Sequence, residues 1–131
     1  MIEHATFCTS AIHHTQAMSM NEGARVLNFA SYSFDAVLVE ILSTLLIGGC
    51  VCIPSETERS NSIASAITRM NVDCAVLTPT VASFLEPSEV PCLRTLILAG
   101  ESLSQTHLNM WADDVVLVQA YGEIELILYP W

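Results

Sequence analysis

The sequence predicts an α/β domain: a mostly parallel sheet of about five strands with helices on both faces. Three features predict it. Five short runs are apolar almost throughout rather than alternating, the pattern of strands covered on both faces. Longer stretches with helical spacing separate these runs, giving repeated strand–helix–strand units with right-handed crossovers. The 131 residues are 52 % hydrophobic and 14 % charged, with mean hydropathy +0.49. That is enough for one core and too little for two.

In chain order, residues 6–18 read as a first helix and 26–30 (Val-Leu-Asn-Phe-Ala) as the first strand. Residues 34–47 form a second helix, with Leu38, Ile41, Leu42 and Leu45 on one stripe and a stop at Gly48-Gly49. A strand follows at 50–53, then a polar surface loop at 54–60. Residues 61–70 space Ile63, Ala66, Ile67 and Met70 for a helix, and 74–77 form the next strand. Pro79 opens a short helix over 80–85, residues 86–89 form a loop, and 95–99 are a strand. Ser104 caps a helix to Trp111, and residues 115–119 are the last strand. There is no repeat, low-complexity tract or linker.

Charge narrows the function. Fourteen Asp and Glu face four Arg (Arg25, Arg59, Arg69, Arg94) and no Lys, a net charge of −10. Such a surface repels phosphate backbones and anionic lipid, so neither nucleic acid nor a membrane is an expected partner. No apolar stretch reaches the roughly 20 residues of a membrane span. Five cysteines (Cys8, Cys50, Cys52, Cys74, Cys92) form no C-x-x-C pair and follow no secretory signal. They read as small buried thiols of a reducing, cytoplasmic protein, with Cys50 and Cys52 on one strand face, rather than as metal or redox ligands. His13 and His14 diverge on a helix and read as exposed surface.

In open parallel sheets, ligands sit outside the carboxyl ends of the strands. The segments there are 31–35, 54–56, 78–80, 100–101 and 120–125. Asp35 begins a helix, where it either complements the helix dipole or offers a carboxylate to an ammonium group. Gly100 ends a strand where backbone can come close to a flat ligand. Gln119, Tyr121 and Gly122 supply an amide, a stacking ring and a turn, and Glu125 could hold a hard cation such as Mg²⁺.

The ordered set Met1-Ile2-Glu3-His4, Phe34-Asp35-Ala36, Leu96-Ile97-Leu98-Ala99-Gly100-Glu101 and Gln119-Ala120-Tyr121-Gly122-Glu123-Ile124-Glu125 resembles the middle of a nonribosomal peptide synthetase adenylation domain. That family belongs to the AMP-forming acyl and aminoacyl ligases, and the resemblance spans essentially the whole chain. It implies one subdomain of the ligase fold, a partial AMP-binding domain over residues 1–131. It also implies a parent reaction in which ATP and an amino acid give aminoacyl-AMP, followed by a thioester on the phosphopantetheine of a carrier protein. By position, Asp35 matches the carboxylate that holds the substrate's α-amino group, and Phe34 the aromatic beside it. Ala36, Val39, Val76, Ile97, Ala99, Ala120 and Leu128 match side-chain pocket positions, and all are apolar, which implies a hydrophobic amino acid. Gly100, Gln119, Tyr121 and Gly122 match the adenine slot, and Glu125 the Mg²⁺-associated glutamate.

The sequence departs from the family at Ile124, which replaces a threonine whose hydroxyl would bond the α-phosphate, and at Glu123, which adds negative charge there. The family's phosphate loop, ribose-binding aspartate and catalytic lysine have no counterpart, so an inactive fragment truncated at both ends is the expectation. Cut from a second sheet, it should expose apolar surface and self-associate. The alternative is a non-catalytic module that binds a nucleotide or amino acid, or that pairs with a synthetase in trans.

Overall fold

The computed structural model describes residues 3–120. Five parallel strands, β1 (Arg25–Leu27), β2 (Cys50–Cys52), β3 (Cys74–Leu77), β4 (Thr95–Ala99) and β5 (Val116–Ala120), form one sheet in the order β2-β1-β3-β4-β5. The helices are α1 (His4–Ala17), α2 (Ala36–Leu38), α3 (Thr44–Leu46), α4 (Glu56–Asn61), α5 (Ile63–Arg69), α6 (Pro79–Ala82) and α7 (Gln105–Trp111). A π-helical turn over Val39–Ser43 joins α2 to α3 without a break.

Two apolar layers hold the sheet. On one face Leu27, Ala75, Leu77, Leu96 and Leu98 meet Ile67 of α5, Ala82 and Leu85 at α6, and Trp111 of α7. On the other, Val26, Cys74, Val76 and Ile97 meet Val39 with Met20 and Ala24. Successive strand residues alternate between the layers because side chains alternate across a strand. β3 is buried throughout, and β4 is buried except at its last residue. The outer strand β5 is half open, with Val116 52 % exposed.

Several local expectations change. Residues 56–61 are a helix, not a loop: Ser55 caps it, its hydroxyl accepting the Glu58 N–H while the Glu58 carboxylate accepts the Ser55 N–H. That carboxylate also pairs with Arg69 at 2.8 Å, and chiefly this bond draws its pKa down to about 2. Of the stripe expected to bury the helix after β1, Leu42 and Leu45 are exposed, as is the adjacent Leu46, while Leu38 and Ile41 are half-buried, Leu38 against Phe7 and Ala11 of α1. The buried face of that helix is Val37, Val39, Glu40, Ser43 and Thr44. His14 is half-buried, its Nε2 2.7 Å from the Ser43 hydroxyl. Cys50 is exposed while Cys52 is buried, and Cys8 is exposed too, so the thiols are not uniformly interior. Burial raises the Cys52 and Cys74 thiols to about 11 and about 12, which leaves them inert. Gly49 lets β2 start hard against its neighbours: a Cβ there would lie 2.7 Å from the Ala24 carbonyl oxygen.

Glu40 is the least expected interior residue, wholly buried on the π turn. Its carboxylate accepts Asn28 Nδ2–H at 2.9 Å, the Phe29 N–H at 3.1 Å and the Ala30 N–H at 3.0 Å. The Phe29 and Ala30 N–H groups lie where the chain leaves β1, and among the described residues Glu40 is their acceptor. Burial nevertheless pushes its pKa up to about 7, against the lowering effect of those donors. A folded-state pKa above the unfolded value of 4.5 gives stability that is complete below pH 4.5 and lost as pH rises through 7. The full linkage amounts to about 3 kcal/mol. Denaturant midpoints measured from pH 4.5 to 8 should therefore fall more steeply for the native chain than for Glu40→Gln. Parallel profiles would contradict this account.

Candidate functional site

The strand order places a switch point between β1 and β3. The chain leaving β1 runs over the Val39 side of the sheet, and the chain leaving β3 runs over the Leu85 side. Neighbouring strands whose connections part in this way leave a crevice at their carboxyl ends. The segments around it are 30–35, 78–80 and 100–101, with Ala120 on the outer strand.

Six of the apolar positions singled out in the sequence come together on the Val39 side. Val39, Val76 and Ile97 are buried there, and Ala36, Ala99 and Ala120 pack half-buried against them. Register explains the assembly. Val76, Ile97 and Val118 lie side by side across β3, β4 and β5, and Ala99 pairs with Ala120 one step nearer the strand ends. The three alanines carry only a Cβ each, so the outer row is shallow and the row beneath it is bulky. Val118 was not among the sequence candidates. The signal for it was available, since it lies two residues before Ala120 and so shares its face.

Asp35 is the N-cap of α2 and is half-buried, its Oδ1 accepting the Ala36 N–H at 2.9 Å. Its Oδ2 accepts no hydrogen bond among the described residues. Phe34 does not join the cluster and is 66 % exposed. Gly100 turns the chain out of β4 at φ +82°, a conformation that side chains resist, and a Cβ there would lie in ordinary contact with Thr78 Cγ2, at 3.9 Å. Glu101 then ties two strand ends together: its Oε2 accepts the Thr80 hydroxyl at 2.6 Å and the Thr80 N–H at 3.0 Å. The Thr80 hydroxyl, followed by its N–H, holds this carboxyl below the usual range. Gln119 is exposed on β5. Tyr121, Gly122, Glu125 and Leu128 lie outside the described residues.

Other features lead away from chemistry. Ser83 and His107 sit 3.0 Å apart like a nucleophile and its base. His107 Nδ1, however, accepts the Ser104 N–H, which places the ring hydrogen on Nε2, the atom facing Ser83. The Ser83 hydroxyl in turn bonds the Pro79 carbonyl. The pair is a strut between α6 and α7. A hollow of about 660 Å³ opens among Glu86, Val90, Leu93, Met110 and Val115, at the amino ends of β4 and β5 and so opposite the strand-end crevice. Among the described residues no group of three or more His, Cys, Asp or Glu side chains converges for a metal ion, and no helix is long and apolar enough to cross a membrane.

Comparison with known proteins agrees with this architecture. Residues 1–127 match the family described as AMP-binding enzyme. The chain is 56 % identical over 125 residues to nonribosomal peptide synthetase 4 of Gibberella zeae, covering 95 % of this chain and 2 % of that protein. It is equally similar to N-benzoylphenylalaninol synthetase apmA of Penicillium brevicompactum, covering 5 % of it. The chain thus spans only a few per cent of the length of these relatives. Among solved structures, the Vibrio cholerae adenylation domain AlmE, in complex with glycyl-adenosine-5'-phosphate, superposes with TM-score 0.81 at 18 % identity. That match covers 97 % of this chain and 26 % of the other. The AMPPNP-bound nonribosomal peptide synthetase FmoA3 gives 0.79 at 15 % identity, over 98 % of this chain and 15 % of the other. These last two likenesses show the fold. By its sequence, the chain belongs to the AMP-binding enzyme family, among the adenylation domains of nonribosomal peptide synthetases.

Proposed function

We propose that this segment supplies the amino-acid pocket and part of the adenine slot of an adenylation domain that activates a hydrophobic amino acid. The observation that carries the reading is the single cluster formed by Ala36, Val39, Val76, Ile97, Ala99 and Ala120, with Asp35 adjoining it at the head of α2. An apolar wall next to a carboxylate whose Oδ2 accepts no hydrogen bond among the described residues suits a substrate that is ammonium at one end and hydrocarbon at the other. The shallow alanine row favours a long or branched side chain over a small one. The name of the Penicillium relative, which contains phenylalaninol, is in keeping with a bulky apolar residue.

In this reading Asp35 pairs with the α-ammonium group and turns the substrate carboxylate toward ATP. Gly100 and Gln119, with Tyr121 and Gly122, border the adenine. ATP supplies the adenylyl group, and the aminoacyl unit then passes to a carrier-protein phosphopantetheine. Glu125 is the assigned Mg²⁺ partner. The chain has no lysine and its Ile124 lacks a hydroxyl for the α-phosphate, so we assign it recognition rather than unaided catalysis. Residues 1–131 are accordingly one partial domain of the parent enzyme, and we place that enzyme in the cytoplasm.

Two outcomes follow. Calorimetry on the chain should show leucine binding more tightly than 4-methylpentanoate, which has the same hydrocarbon and no amine. Asp35→Ala should weaken leucine alone, by one to two decades, the worth of a charge-assisted hydrogen bond of roughly 1.5–3 kcal/mol. Equal affinity of the native chain for both ligands would overturn the assignment. Leu42, Leu45 and Leu46 form an exposed apolar ridge, through which we expect copies of the free chain to associate. Sedimentation should show species larger than a monomer, reverting to monomer in Leu45→Glu; a monomeric native chain would contradict this.

A further inference from the structure

The neck of the loop that carries Asp35 is gripped from two sides by polar side chains that do not touch the proposed ligand. On one side the Glu40 carboxylate accepts the Phe29 and Ala30 N–H groups and the Asn28 amide. On the other, Arg59 of α4 donates its Nη1–H to the Phe29 carbonyl at 2.6 Å, and its guanidinium lies 6.0 Å from the centre of the Phe29 ring. These two side chains come from helices on opposite faces of the sheet. They meet on the residues where β1 has ended and no ladder bond fixes the backbone.

The consequence is geometric. Glu40 stands five positions after Asp35 on the same run of helix, so its bonds to Ala30 close residues 30–40 into a ring. Asp35 closes the far side by capping α2. The π turn from Val39 to Ser43 is the register change that keeps Glu40 on the buried face along with Val39. π turns of this kind recur at functional sites, where they re-aim side chains. Within the ring, the Phe34 N–H bonds the Ser31 carbonyl at 2.9 Å, so the loop has a fold of its own to be held.

We propose that Glu40 and Arg59 are positioning residues: they clamp Phe29 and Ala30 from the two sheet faces and thereby fix the 31–35 loop that presents Asp35. Their link to amino-acid binding rests on the function proposed above, whereas the clamp itself stands on the hydrogen bonds alone.

Hydrogen–deuterium exchange on the full chain separates the two claims. Arg59→Met removes one jaw from a side chain that is only half-buried, and Glu40→Gln weakens the other while keeping one acceptor oxygen. Each variant should speed exchange across residues 29–35 by about tenfold, the worth of one lost hydrogen bond, and leave β4 at the native rate. Arg59→Lys, which keeps a donor, should restore most of the protection. Native rates at 29–35 in both variants, or equal acceleration in β4, would overturn the clamp. Calorimetry on the same proteins should show weaker leucine binding with ATP binding unchanged in Arg59→Met. If the native chain binds no leucine, the proposed function fails while the exchange result still decides the clamp.

Discussion

Handedness is the constraint from which this site follows. Parallel strands joined by right-handed crossovers place each connecting helix on a face set by the direction in which the next strand is added. Here β1 to β2 runs one way along the sheet and every later step runs the other. Only the segment between β1 and β2, with α1 outside it, therefore covers the Val39 face. The later helices α5, α6 and α7 all pack on the opposite side. The last residue of β4 and the outer strand β5 are left partly open, at the end where parallel sheets bind ligands. The apolar cluster and Asp35 occupy that opening because the topology leaves it there.

Burial then sets the chemistry. The strand end after β1 is held by a buried, hydrogen-bonded carboxylate, whereas Asp35, which we propose meets a ligand, is left partly open. Glu40 spends its hydrogen-bonding capacity on the Asn28 amide and two backbone N–H groups at the strand end and is wholly interior. Asp35 uses one oxygen for its cap and stays half-buried. Two carboxylates five residues apart have thus been given different tasks by environment alone. Glu101 and Thr80 make a similar tie between the ends of β3 and β4, but in solvent, where it fixes the Gly100 turn without storing charge in the core.

The sheet was legible in the sequence because its central strands are apolar on both faces. Residues 74–77 and 95–99 read as strands and are strands over the same spans. The grouping of Ala36, Val39, Val76, Ile97, Ala99 and Ala120 also followed from the family pattern, and register brings these residues together. The buried face of the second helix was read only in part: Leu38 and Ile41 are half-buried, but Leu42 and Leu45 are exposed. Its leucines looked like a core stripe, yet the π turn and the demand of the Phe29 and Ala30 N–H groups bury Glu40, Ser43 and Thr44 instead. Periodicity at 3.6 residues has no means of registering an inserted residue or a buried carboxylate whose partners lie at the end of another element. The missed helix at 56–61 was a different failure, since Ser55 and Glu58 spell a capping box that outweighs a polar composition.

This apolar cluster and the neighbouring Asp35 are proposed to form one amino-acid pocket at the β1/β3 switch point. Methyl-resolved NMR of the chain during titration with leucine tests it most directly. The methyl resonances of Ala36, Val39, Val76, Ile97, Ala99 and Ala120 should move together with a single saturation curve. Movement confined to Val90, Leu93 and Val115, around the hollow at the opposite ends of the strands, would contradict it.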